Sequence, residues 1–146
     1  MQSRKTAHLF PLVLGDAVIF ALVTLIGFAS HDEMNSGFVR MLATFLPLCA
    51  AWAMVAPWLG VYNRVNTSSW RQLWRPVLAM QLAAPMAGWL RGAWLAEAIP
   101  PIFILVIGTF TSLGILIWRV SFWAIYRSRS AASLFTELKS QEKIDG

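Results

Sequence analysis

Four apolar segments, each long enough to cross a bilayer, constrain the fold of this chain more than any other feature. A helix needs about 20 residues to span roughly 30 Å of hydrocarbon. The four segments meet that length, and they occupy residues 11–30, 39–60, 76–96 and 101–126. The sequence therefore predicts an all-α integral membrane protein with four transmembrane helices.

The connections between these segments are short. They cover residues 31–38, 61–75 and 97–100. Short links favour antiparallel neighbours, so we expect an up-down four-helix bundle. At 146 residues the chain is long enough for one domain, which we place over residues 1–146 with a polar cytoplasmic tail at residues 127–146.

Composition supports the membrane class. Only 13% of the residues are charged, against about 25% in soluble domains. The net charge of +5 could indicate nucleic acid, but the basic residues border apolar segments, which fits anionic lipid better. We therefore expect membrane lipid as a partner and no nucleic acid. The lone Cys49 cannot form an internal disulfide.

Basic residues predict the orientation, because loops rich in lysine and arginine stay in the cytoplasm. The two termini and the middle loop together hold nine of them: Arg4, Lys5, Arg64, Arg71, Arg75, Arg127, Arg129, Lys139 and Lys143. The opposite side has only Arg40, near the start of the second span, against Asp32, Glu33 and Glu97. Both termini are expected in the cytoplasm. Asp16 interrupts the first apolar segment, so we expect an uncleaved first span instead of a secretory signal.

Charged residues inside the apolar segments are the strongest candidates for a functional site. Asp16, Arg91 and Arg119 lie within spans 1, 3 and 4, where ionisable groups are costly and normally face protein, water or a partner. At about 100° per residue, Asp16 shares a helix face with Gly27 and His31. We expect this face to point into the bundle.

The third and fourth spans have matching faces of small or polar residues, which membrane helix interfaces favour. Gly88 lies on such a face in span 3, and Gly108 and Ser112 share one with Arg119 in span 4. With Gly27, these residues are predicted to mediate helix packing.

Depth along the antiparallel spans suggests which charges meet. Asp16 and Arg119 both lie about 7–10 Å from the predicted inner ends of their spans, so we expect a structural ion pair. Arg91 lies near the outer end, level with His31. Two alternatives stay open: each arginine could extend to its interface without a partner, and Asp16 could serve proton or ion coupling.

Tryptophan is abundant, with eight residues. Anchoring at the membrane interface explains most of them. Stacking on a quinone, carotenoid or chlorophyll-type pigment is the sharper interpretation, with Trp52, Trp89 and Trp118 as candidate ligand contacts. We assign no catalytic residues and no metal ligands, because the chain has no recognisable enzyme, phosphate-loop, dinucleotide or metal-binding motif.

Several short motifs also resemble a known family. Span 1 has Gly15-Asp16 near its start, Phe20 four residues on and His31 at its end. Span 3 holds Pro85-x-x-Gly88-x-x-Arg91, and span 4 has Trp118-Arg119 towards its end. Their order resembles the prokaryotic membrane proteins called domain of unknown function 3054, over about residues 9–126. The resemblance implies a four-span protein of the prokaryotic cytoplasmic (inner) membrane. It points to Asp16, His31, Arg91 and Arg119, and implies no activity.

Three function classes follow from these observations. The first is a non-enzymatic membrane subunit or accessory protein of a larger complex, working by helix contacts with other membrane proteins or with its own copies. The second is an oligomeric transporter of a small solute or ion that uses Asp16 as its coupling charge. The third is a membrane enzyme for a lipid-soluble substrate.

Overall fold

Four helices account for most of the residues that this computed structural model describes, which are 3–30, 37–63 and 69–142. They are α1 (Ser3–Ser30), α2 (Phe38–Trp58), α3 (Trp74–Leu95) and α4 (Pro101–Glu142), with a 3-10 turn at Trp70–Gln72 before α3. No strand occurs within these described ranges. The prediction of an all-helical chain is confirmed.

Three of the helices are long and apolar enough to cross a membrane. The qualifying stretches are Leu9–Ser30, Phe38–Trp58 and Pro101–Ile125. The helix α3 is comparable in length, but Gln81 and Arg91 lower its hydropathy. The helix α4 has 42 residues, about 63 Å at 1.5 Å per residue, so its backbone continues well beyond the predicted end of the fourth span.

The helices α3 and α4 pack antiparallel. A side chain at Gly88 would meet Ile104 on α4, whereas Gln81, which comes before Gly88 on α3, bonds to Ser112, which comes after Ile104 on α4. Moving towards the start of α3 therefore moves towards the end of α4, as expected for antiparallel helices. The close approach is possible because small residues line this interface.

The same inverse order relates the other neighbouring helices. On α2 and α3, Thr44 meets Arg91, and Leu59 at the far end meets Arg75. On α1 and α4, Ile19 lies against Gly114 whereas Asp16 meets Arg119. The helix α1 also packs against α2. The helices thus form a ring in chain order, and the start of α1, the end of α2 and the start of α3 lie at one end of it.

The core lies between the helices and mixes large apolar side chains with many alanines. Phe20, Leu48, Met80 and Ile115 are at most 2% exposed. Small side chains occupy much of the buried surface of α2 and α3, which lets these backbones approach closely: Ala43, Ala51, Ala56, Ala79, Ala83, Ala84 and Ala87. Large apolar side chains such as Ile26 and Leu105 face outward instead.

Candidate functional site

A turn at the end of α2 brings two loop residues into the bundle. Gly60 has a φ of 63°, a left-handed conformation that glycine adopts without steric cost. Its N–H donates to Pro57, and the N–H of Val61 donates to Ala56. The chain therefore folds back under α2, and Val61 is only 3% exposed. Tyr62 follows it at the same end of the bundle.

The carboxylate of Asp16 pairs directly with the guanidinium group of Arg119. The Nη2 atom of Arg119 lies 2.7 Å from Oδ2 of Asp16. Both residues are buried, with Asp16 1% and Arg119 5% exposed. Neither charge reaches the surface of the bundle, so each depends on the other for compensation.

Two aromatic residues complete the shell around this pair. The Tyr62 hydroxyl group donates to Asp16 Oδ2 at 2.9 Å and accepts a 2.7 Å bond from Trp52 Nε1. Arg119 also lies over the Tyr62 ring, 5.4 Å from its centre. We call Asp16, Trp52, Tyr62 and Arg119 the Asp16 cluster. One carboxylate oxygen joins α1 to the loop after α2 and to α4, and the Tyr62 hydroxyl group links this oxygen to Trp52 on α2.

Burial raises the pKa of the Tyr62 phenol above its usual value, and the neighbouring carboxylate adds to this effect. The phenol therefore keeps its proton through the neutral range and remains a donor. An orientation in which Tyr62 accepts from Trp52 and donates to Asp16 uses both functions of its hydroxyl group.

Two polar atoms of the Asp16 cluster have no partner within the described part of the chain. They are Oδ1 of Asp16 and Nε of Arg119. The third nitrogen of Arg119, Nη1, donates a long 3.4 Å bond to the carbonyl of Val61. Buried polar atoms are normally satisfied, so the cluster retains some capacity to bind a further polar group.

Arg91 occupies the opposite end of the bundle. It is 9% exposed, donates from Nε to Thr44 Oγ1 at 2.9 Å, and lies 4.8 Å from the centre of the Phe103 ring. The side chains of Arg91 and Arg119 both point into the bundle and do not extend to its exterior. The expected group of Arg91 with His31 cannot be compared, because His31 lies outside the described residues.

The small residues of α3 and α4 lie where the two helices touch. A Cβ atom at Gly88 would lie 2.7 Å from Ile104 Cγ1, and one at Gly108 would lie 3.0 Å from Ala84 Cβ. Ser112 is 5% exposed and accepts a 3.0 Å bond from Gln81. These three positions therefore have the environment that a packing role requires.

Gly27 differs from them. A Cβ atom there would meet no atom of the described residues within 4 Å, so the packing role of Gly27 stays a prediction. The close approach of α1 occurs at Gly15 instead, where a Cβ would overlap the Trp118 indole. Helix periodicity predicted a packing role for Gly27 and none for Gly15, because it carries no information about the partner side chain that lies beside each glycine.

The three candidate ligand-contacting tryptophans have different environments. Trp52 is 3% exposed and belongs to the Asp16 cluster. Trp118 covers Gly15 and lies 5.9 Å from the Phe122 ring. Trp89 is 72% exposed and faces outward from α3. Of the three, Trp89 alone offers a free ring face to a partner outside the bundle.

Sequence reasoning missed Tyr62, Val61 and Thr44. Residues 61–75 were predicted only as a basic connection between the second and third spans, whereas Gly60 makes a turn that returns the chain to the bundle. In the described residues, no group of three histidine, cysteine, aspartate or glutamate side chains is arranged to hold a metal ion.

Comparison with known proteins places these residues within one family. A family model described as a protein of unknown function (DUF3054) matches residues 13–122, a stretch that contains the whole Asp16 cluster and Arg91. No curated protein and no solved structure matches the chain. The family match covers well over half of the sequence and confirms the resemblance seen in its motifs. The chain therefore belongs to the DUF3054 family of proteins of unknown function.

Proposed function

We propose that this chain is a small, non-enzymatic integral membrane subunit or accessory protein of a larger assembly in the prokaryotic cytoplasmic membrane. Its ionisable interior serves to hold the bundle together, and its outward apolar faces contact lipid and other membrane helices. The internal pairing of Asp16 with Arg119 and Tyr62 supports the structural part of this proposal.

In this proposal all four helices cross the membrane. The helix α3 packs lengthwise between α2 and α4, both of which are apolar enough to span. Both polar side chains that lower its hydropathy bond to a neighbouring helix: the buried Arg91 bonds to Thr44 on α2, and the more exposed Gln81 bonds to Ser112 on α4. A helix supported in this way can cross without exposing its charge to lipid.

Both termini lie on the cytoplasmic side in this proposal. We call one end of the bundle the basic end, because it holds Arg71, Arg75 and Arg127. Lysine and arginine bordering a span retain that side in the cytoplasm. The opposite end has an exposed pair of Arg40 with Glu97, which cancels in charge.

The outward position of Trp89 carries the proposal of a partner. It lies six residues before Leu95, about 9 Å along the helix, which is deeper than an interfacial anchor requires. Its ring is 72% exposed, and an indole N–H facing hydrocarbon leaves a donor unsatisfied. A neighbouring membrane helix, a second copy of the chain, or a quinone or pigment would cover it.

Photo-crosslinking at Trp89 tests this proposal. A photoreactive residue replaces Trp89 in living cells, and a matched variant replaces Leu105, which faces outward on α4 at a similar depth and is 63% exposed. We expect a discrete protein adduct from position 89 and none from position 105. Purification in mild detergent as a colourless, partner-free monomer, with no adduct at either position, would contradict the proposal.

The second proposal, an oligomeric transporter with Asp16 as the coupling charge, needs water to reach that carboxylate. The free Oδ1 atom of Asp16 favours it, whereas its 1% exposure weighs against it. Carbodiimide labelling of membranes distinguishes the two proposals. Labelling of Asp16 that falls when a transported ion is added would support transport, and resistance to the reagent would support the structural role.

A further inference from the structure

A small cavity at the basic end lies beside the Asp16 cluster. Its walls come from α1, the loop after α2, the start of α3 and α4, and two of its lining residues are Arg75 and Arg119. Leu12 and Phe122 form part of the apolar wall, and no lining residue is acidic. The cavity thus combines two guanidinium groups with an apolar side.

Both arginines are held in position and retain hydrogen-bonding capacity. Arg75 donates from Nε to Gln72 and from Nη1 to the carbonyl of Leu59 at 2.8 Å, and these two bonds use two of its three guanidinium nitrogen atoms. Arg119 is 5% exposed and its Nε has no partner among the described residues. Fixed guanidinium groups with free N–H donors favour oxyanions, to which Arg offers paired bonds.

The charge balance at this end also favours an anion. Asp16 neutralises one of the two arginines of the cavity. The sequence has no acidic residue between Glu33 and Glu97, so the segment that supplies Arg75 has none to neutralise it. Trp74 lies against Arg75, with its ring centre 5.2 Å from the guanidinium carbon, an arrangement typical of the headgroup level of a membrane.

The size of the cavity limits what enters it. Its volume is about 20 Å³, which is room for one water-sized atom. A whole phosphate group does not fit, but one of its oxygen atoms does, with the rest of the group at the mouth. Pro76, where the third predicted span begins, lines the same cavity, which sets it at the depth of lipid phosphates.

We propose that this cavity is a binding site for a phosphate group, in which Arg75 and Arg119 receive one oxygen atom of an anionic phospholipid headgroup or of a soluble phosphate compound. The site requires insertion of the bundle in a membrane, as the proposed function does, but it requires no protein partner. Lipid binding by the isolated chain can therefore fail or succeed independently of Trp89 crosslinking.

Native mass spectrometry of the purified full chain tests the site. Phosphatidylglycerol is titrated against phosphatidylcholine for the unmodified chain, Arg75→Gln and Arg71→Gln. Arg71 is an exposed arginine of the same loop that does not line the cavity, so its variant removes an equal charge. We expect Arg75→Gln to weaken phosphatidylglycerol binding by about tenfold or more, and Arg71→Gln to change it by less than about threefold.

A second variant covers the case in which Arg75→Gln does not fold. Arg75→Lys keeps the charge but loses the planar fork of donors, and we expect intermediate binding. Equal weakening by the Arg71 and Arg75 variants, or no preference for phosphatidylglycerol over phosphatidylcholine together with no effect of phosphate, would overturn the site.

Competition identifies the source of the phosphate. Inorganic phosphate and glycerol 1-phosphate are added to the complex at increasing concentration. Displacement of the lipid by either small molecule assigns the site to soluble phosphates. Retention of the lipid, with loss in Arg75→Gln, assigns it to the headgroup.

Discussion

Tyr62 donates a 2.9 Å hydrogen bond to Asp16 from a loop that lies 46 positions later in the chain. The same hydroxyl oxygen accepts from Trp52, and the same carboxylate oxygen accepts from Arg119. The loop after α2 is therefore part of the polar core of the bundle. Its removal would leave a carboxylate with one partner where it now has two.

Replacing Tyr62 with Phe isolates the contribution of the hydroxyl group. The ring stays, but Trp52 Nε1 loses its acceptor and Asp16 loses a donor. Leaving a buried polar group unpaired costs about 1–3 kcal/mol, so we expect the free energy of unfolding to fall by about that amount. Reversible unfolding of the purified chain in mixed detergent micelles measures it.

A double-mutant cycle provides the control for this experiment. Trp52→Phe removes the other half of the Trp52–Tyr62 bond. If the bond forms, the double variant loses less stability than the two single variants added together. Additive losses would show that the two side chains act independently, which would contradict the network described above.

Breaking the Asp16–Arg119 pair should destabilise the bundle more than any surface change. Removing one partner of a buried pair costs about 3–5 kcal/mol, because the remaining charge is uncompensated. We expect this range for Asp16→Asn and for Arg119→Gln, and a smaller loss for the double variant than for either one. Unfolding in detergent and the yield of folded protein both report the effect.

The exposed pair of Arg40 with Glu97 is the matched comparison. Its side chains are 36% and 47% exposed, and solvent-exposed pairs contribute about 0–1 kcal/mol. Glu97→Gln should therefore be nearly silent. A loss equal to that of Asp16→Asn, or a double Asp16→Asn, Arg119→Gln variant with fully additive losses, would argue against direct compensation within the buried pair.

Periodicity and depth were sufficient to predict much of the fold and part of the cluster. Apolar segment length located the four helices, and equal depth on antiparallel helices placed Asp16 near Arg119. Segment length is a property of a single helix, and depth follows from the constant rise per residue of a helix. Both can therefore be obtained from the sequence without knowing how the helices pack.

The positions of Tyr62 and Gly15 could not be obtained in that way. Tyr62 enters the cluster because Gly60 turns the chain inward, and a loop conformation of this kind has no periodic signal. Gly15 matters because the Trp118 indole fills the space beside it, which depends on the rotation of two helices about their own axes. Sequence alone does not specify that rotation.

Reporter fusions test the orientation. A green fluorescent protein fused after Gly146 should be fluorescent and an alkaline phosphatase at the same site inactive, because the basic end is expected in the cytoplasm. A phosphatase inserted between Ala96 and Ile99, at the opposite end, should be active. Phosphatase activity from the fusion after Gly146 would require an odd number of spans or the reverse orientation.

Two glycines of α1 provide a matched test of helix packing. At Gly15 an added methyl group would overlap the rigid indole of Trp118, whereas at Gly27 it would meet no described atom within 4 Å. Overpacking of this kind costs about 1–3 kcal/mol, so Gly15→Ala should lower the free energy of unfolding by that amount. Gly27→Ala adds a better helix former at an open position, so stability should stay unchanged or rise by up to about 1 kcal/mol.

Combining Gly15→Ala with Trp118→Leu should restore part of the loss, because the smaller side chain leaves room for the methyl group. Equal destabilisation by the two glycine variants would mean that α1 packs on α4 with a different rotation about its axis.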